Sequence, residues 1–133
     1  MLSLIMQSMR AVGLLSGVAL MWPALAFAQS TDLSKLERGY YNTPEAGCDS
    51  ISSAGVVQFD GKNFDGHYQL CLTDHLSDDR YQSTCIEVQG NDYKKPYDIR
   101  NDPDRETSIF HLKILSPRSF EMDHVQYQYC RGE

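Results

Sequence analysis

The chain predicts an all-β fold: a small antiparallel barrel of about seven or eight short strands stapled by two disulfides, with a two-sheet β-sandwich as the alternative. Three observations predict it. Short runs of alternating apolar and polar residues recur along the chain, with turn signals about every eight to twelve residues. No stretch sustains the period of a long helix. Four cysteines, Cys48, Cys71, Cys85 and Cys130, all lie beyond an export signal. Successive runs are joined by short hairpin-like turns, which favours the up-and-down barrel over the sandwich.

Residues 1–28 read as a cleaved secretory signal peptide. Arg10 is their only charge, an apolar stretch runs from Ala11 to Trp22, Pro23 breaks it, and Ala26-Phe27-Ala28 supplies the small-x-small pattern of a cleavage site after Ala28. The uncharged run of 18 residues from Ala11 to Ala28 is barely long enough to span a bilayer and contains Pro23, so no stable membrane anchor is expected after cleavage. The expected location is therefore outside the cytoplasm, periplasmic or secreted. Residues 29–38 read as a flexible leader, because the eight residues from Thr31 to Arg38 cannot hold a helix alone. Residues 39–133 form one β domain.

Without Arg10 the chain carries 11 Lys and Arg against 18 Asp and Glu, a formal charge of −7. Such a surface repels phosphate backbones and anionic lipid, so nucleic-acid and membrane partners are excluded and a charged partner is expected to be basic.

Taken in order, Gly39-Tyr40-Tyr41 opens the domain, and Asn42 to Gly47 is turn chemistry leading into Cys48. Gly55 to Phe59 reads as a strand ending at the turn Asp60 to Asn63. Phe64-Asp65-Gly66 then enters a central hairpin. Its arms are Gly66 to Leu72 and Arg80 to Val88, and its loop is the polar run Thr73 to Asp79. After the turn Gln89 to Asp92, residues 93–99 read as an edge strand, because Pro96 cannot donate to a ladder. Arg100 to Glu106 is the most polar loop. Thr107 to Leu115 is the clearest strand, with Phe110, Leu112 and Ile114 on one face and His111 and Lys113 on the other. Phe120 to Met122 and Val125 to Cys130 form a last hairpin turning near Asp123-His124.

The cysteine spacings of 23, 14 and 45 lack the close pairs of a zinc site. They read instead as a disulfide framework. A hairpin centred on Asp78 places Cys71 opposite Cys85, at a separation a disulfide can bridge. Cys71–Cys85 is therefore expected, which leaves Cys48–Cys130 to tie the ends of the domain together. The pairing Cys48–Cys71 with Cys85–Cys130 is the alternative. Leu70 and Leu72 share a face with one another, as do Thr84, Ile86 and Val88. If those faces form the core, Cys71 and Cys85 point away from it.

No catalytic motif of the common classes is present, so no enzyme, cofactor or metal is expected. Asp74, His75, Asp78 and Asp79 make the densest polar cluster, best read as a solvated turn that could also serve as a contact site. Asn101 to Glu106 resembles a calcium loop but lacks the turn glycine and the closing glutamate. Tyr40, Tyr41, Tyr93 and Tyr97 fall on segments that need not be core, and tyrosine is enriched at interfaces; the alternative is that their rings plug the ends of the barrel. The expected contact surface therefore comprises Tyr40, Tyr41, Asp74, His75, Asp78, Asp79, Tyr93 and Tyr97. In size, export signal and all-β character the chain loosely resembles the periplasmic lysozyme inhibitors of Gram-negative bacteria, whose targets are basic, although it has no Ser-Gly-x-x-Tyr sequence. The expected function is that of a small exported, non-catalytic binding protein acting through a protein surface, such as a periplasmic inhibitor or immunity-type module. The alternatives are a lipocalin-like small-ligand barrel and a structural envelope protein.

Overall fold

A computed structural model describes residues 30–49, 54–89 and 98–132. The expected signal peptide, Tyr93 and Tyr97 lie outside the described residues. Among the described residues, eight strands form a single antiparallel sheet: β1 (Gly39–Asn42), β2 (Val57–Phe59), β3 (Phe64–Asp65), β4 (Gln69–Ser77), β5 (Arg80–Glu87), β6 (Glu106–Ser116), β7 (Ser119–Met122) and β8 (Val125–Arg131). The order β3-β2-β1-β8-β7-β6-β5-β4 joins neighbours in sequence everywhere except β1 beside β8. An up-and-down meander has thus curled until its ends meet, giving the barrel expected from the short turns.

The ring closes differently at its two junctions. Between β1 and β8 the closure is a backbone ladder, Tyr41 opposite Tyr129 and Asn42 opposite Gln128. Close approach here requires Gly39 (φ +149°), where a Cβ would lie 2.3 Å from the Arg131 carbonyl oxygen. Between β3 and β4 side chains replace the ladder. The Thr73 amide donates to Asn63 Oδ1 at 3.0 Å and the Cys71 amide to Asp65 Oδ1 at 2.6 Å. The Phe64 amide donates to Thr73 Oγ1 at 3.1 Å. A two-residue strand cannot offer a longer ladder, so polar side chains at its flanks satisfy amides that would otherwise be orphaned.

Inward-facing residues alternate along every strand. Tyr41, Phe59, Phe64, Tyr81, Phe110, Leu112, Ile114 and Phe120 fill the barrel. Phe64 stacks on Phe59 with ring centroids 4.7 Å apart and meets Phe120 at 5.2 Å. The strand read most clearly from sequence behaves as its pattern demands, burying Phe110, Leu112 and Ile114.

The described part of the expected leader is held to the barrel. Ser30 exchanges backbone hydrogen bonds with Ile114, Leu36 is buried in the core, and the Tyr81 hydroxyl donates to the Thr31 carbonyl. A 3-10 turn at Leu33–Lys35, capped by Asp32, supplies the bend that lets Leu36 reach inward.

Both expected bridges are present, Cys71–Cys85 and Cys48–Cys130, with Cα–Cα distances of 4.1 and 5.2 Å. Cys71 lies directly opposite Cys85, and Asp78 takes a left-handed turn conformation (φ 49°). Two expectations about this hairpin need correcting. The run Thr73 to Asp79 is not a loop, because β4 continues to Ser77 and the turn is only Asp78-Asp79. The cysteines also do not face away from the core. Cys71 shares the inward face with buried Thr73, while Leu70, Leu72, Ile86 and Val88 form a second, outer cluster with Ile99. Both faces of the hairpin are covered, so aliphatic content did not mark the inside. Ile99 belongs to a 3-10 turn, Ile99–Asn101, rather than to an edge strand.

Candidate functional site

The residues expected to form one contact surface are dispersed. Tyr41 is not at the surface at all: it is completely buried, pairs in register with Tyr129, and its hydroxyl donates to the Glu37 carbonyl. The alternation of β1 turns Tyr41 inward and Tyr40 outward. Tyr40 lies under the Arg131 guanidinium, which is 5.4 Å from the Tyr40 ring centroid, in a groove of about 790 Å³ with Asp49, Gln58 and His67.

The cluster Asp74 to Asp79 is split by the strand that replaces the expected loop. Asp74 and His75 border a groove of about 530 Å³ with Lys62 and Tyr81. Two hydrogen bonds from Arg100, at 3.0 and 3.1 Å, hold the Asp74 carboxyl below the usual carboxylate range. His75 Nε2 lies 2.9 Å from the Asp78 carbonyl oxygen, which ties the imidazole to the turn. Asp79 belongs to another groove, with His111, Lys113, Glu121 and His124. Its carboxyl, 3.2 Å from His111 Nδ1, is likewise held below its ordinary range by that contact. These carboxylates are therefore committed to partners within the chain. Among the described residues no group of three or more His, Cys, Asp or Glu side chains could hold a metal ion.

The acidic charge is concentrated elsewhere. Glu87 ends β5, Asp102 and Asp104 come from the loop before β6, and Glu106 begins β6; all four border one groove of about 430 Å³. The register brings them together, because Cys85 pairs with Glu106 and so sets the end of β5 against the start of β6. The loop keeps its shape through its own polar groups. The Asp104 amide donates to Asp102 Oδ1 at 2.9 Å, and Arg105 Nη1 donates to the Asp102 carbonyl at 2.8 Å. Arg105 is the one cation between Asp102 and Glu106. Carboxylates gathered round a concave, partly apolar floor (Ile86 and the Cys85 bridge) raise the local concentration of cations and cationic side chains.

In the sequence this loop reads only as a solvated segment with a faint likeness to a calcium site. The missing signal was Glu87, about fifteen residues away in sequence and brought close only by strand pairing. Two of the expected surface positions, Asp74 and Asp79, are spent on Arg100 and His111. No family model, no curated protein and no solved structure matches the chain.

Proposed function

We propose that this chain is a small exported, non-catalytic binding protein that acts through its surface on a basic protein partner, in the manner of an inhibitor or immunity-type module. The observation that carries this reading is the groove bordered by Glu87, Asp102, Asp104 and Glu106 on a chain whose net charge is already −6. Opposite charge across an interface speeds encounter and fixes orientation. Export is supported by the signal-like residues 1–28 and by two disulfides, which persist in oxidising compartments.

The lipocalin-like alternative has less to stand on. Aromatic rings occupy the barrel axis, leaving at its mouth a groove of about 290 Å³ between Phe64, Phe110 and Met122. That lies at the bottom of the range for small-molecule pockets, roughly 300–1,000 Å³.

The test is capture of basic secreted proteins, with hen-type lysozyme as the first probe, by the oxidised mature chain at low and physiological salt. Binding is expected to weaken as salt rises and to fall about tenfold or more in a Glu87→Gln, Asp102→Asn, Asp104→Asn, Glu106→Gln variant. Capture that ignores both salt and these substitutions would remove the charge argument.

A further inference from the structure

Among the described residues, the first half of β6 is a strand with a neighbour on one side only. From Glu106 to His111 it pairs with β5, but β7 reaches no further along it than Leu112, opposite Met122. The direction of its backbone groups can be read from neighbouring hydrogen bonds. The Leu112 amide donates toward β5, to the Asp79 carbonyl at 2.8 Å, and Ile114 bonds to Ser30 on the same side. His111 points the other way: its amide donates to Asp123 Oδ1 at 2.8 Å, and its carbonyl accepts from the Asp123 amide at 3.0 Å. Backbone direction alternates along a strand. Thr107 and Ile109 therefore aim their N–H and C=O groups where His111 does, and no described strand stands there to receive them.

This edge has a chemistry of its own. Ile109 is 50 % exposed, and residues 103–109 are all exposed. On its inner side lies the mouth groove of about 290 Å³, lined by Ser108, Phe110 and Met122. At its start stands Glu106 with Glu87, Asp102 and Asp104.

We propose that the edge from Glu106 to Ile109 takes up an extended basic peptide segment by strand addition. Its backbone pairs with Thr107 and Ile109, an apolar side chain on the outer face covers Ile109, and Lys or Arg side chains on the other face meet the acidic groove. Strand addition draws its affinity from main-chain hydrogen bonds and its selectivity from alternate side chains. A second copy of this chain is disfavoured as the occupant, because it would bring four like charges to the same place. The proposal rests on the reading of a basic partner and specifies how that partner docks.

The experiment uses the full mature chain, oxidised, and a nine-residue peptide of alternating Lys and Val. A version N-methylated on alternate residues keeps the charge and loses the pairing donors. The plain peptide is expected to bind at least tenfold more tightly than the methylated one and to slow amide exchange at Thr107 and Ile109. Ile109→Pro removes a donor that β5 does not use, and it should weaken the plain peptide by a similar factor. Equal binding of the two peptides would overturn the proposal, leaving a charge-only contact. So would slow exchange at Thr107 and Ile109 in the free protein, whether the edge is covered by the chain itself or by a second copy seen as a dimer in sedimentation. If Ile109→Pro still captures a basic protein at full strength, strand addition fails while the basic-partner reading stands. If the wild-type chain captures no basic protein yet still binds the plain peptide through this edge, the reverse holds.

Discussion

Replacing Thr73 by valine tests whether side chains close the barrel. Thr73 is buried in β4, and valine has the same branched shape, so packing is kept and only the hydroxyl is lost. That hydroxyl accepts the buried Phe64 amide at 3.1 Å. An unpaired buried donor costs about 1–3 kcal/mol, and the extra apolar surface of valine offsets part of it. A net loss of about 1–2 kcal/mol is expected. Thr73→Ser provides the control: it keeps the acceptor and removes one methyl group, worth about 0.8 kcal/mol. Urea unfolding of the oxidised protein measures both. With a slope of about 1–3 kcal/mol/M, the valine variant should unfold at a midpoint lower by roughly 0.3–2 M. Native-state exchange separates the two variants further, since only valine should expose the Phe64 amide. If Thr73→Val is as stable as the wild type and its Phe64 amide stays protected, the side-chain bond is not what joins β3 to β4.

Three other outcomes follow from the same structure. Removing Cys48–Cys130, which spans 82 residues, should destabilise more than removing Cys71–Cys85, which spans 14; the chain-entropy model gives about 4.5 against about 3 kcal/mol, and paired-serine variants compared by urea unfolding check the order. The Asp74 carboxyl is held low by Arg100, so the unfolded chain binds a proton there more readily than the folded one. Its stabilising contribution should be complete above the ordinary carboxylate range and lost as pH falls through the depressed folded value; an NMR titration in which Arg100→Gln leaves the Asp74 midpoint unmoved would refute this. Each substitution in the acidic groove should change binding of a basic protein without changing the unfolding free energy by more than about 0.5 kcal/mol, as expected of surface positions.

How legible the fold was can be judged residue by residue. The pairing of Cys71 with Cys85 was legible from the symmetric spacing about Asp78, but the turn Asp78-Asp79 alone would set Ser77 opposite Arg80 and Cys71 opposite Ile86; an irregularity between His75 and Ser77 brings the two cysteines into register. The inside of that hairpin was not legible. Alternation separates two faces but does not choose between them, and the choice was made by Ile99, which covers Leu70, Leu72, Ile86 and Val88 from outside. Tyr41 was not separable from Tyr40 for a related reason: nothing local distinguishes the ring that plugs the barrel from the one under Arg131. Asn63 and Asp65 looked like turn residues, yet their side chains receive amides from β4. The acidic groove was hidden because its carboxylates come from two stretches, Glu87 and Asp102 to Glu106, that only strand pairing brings together.

The Cys48–Cys130 bridge has a mechanical consequence. It joins the segment that follows β1 to the end of β8, so a pull applied to the two termini passes through the sulfur atoms and bypasses the strands between them. The 82 residues of separation, worth up to about 280 Å of extended chain, would stay slack until that bond is reduced. Under load only the short ends outside the ring could be drawn out. On the N-terminal side that means Ser30 peeling from Ile114 and β1 from β8, which loosens the wall nearest the anchored end before the remaining barrel feels any tension.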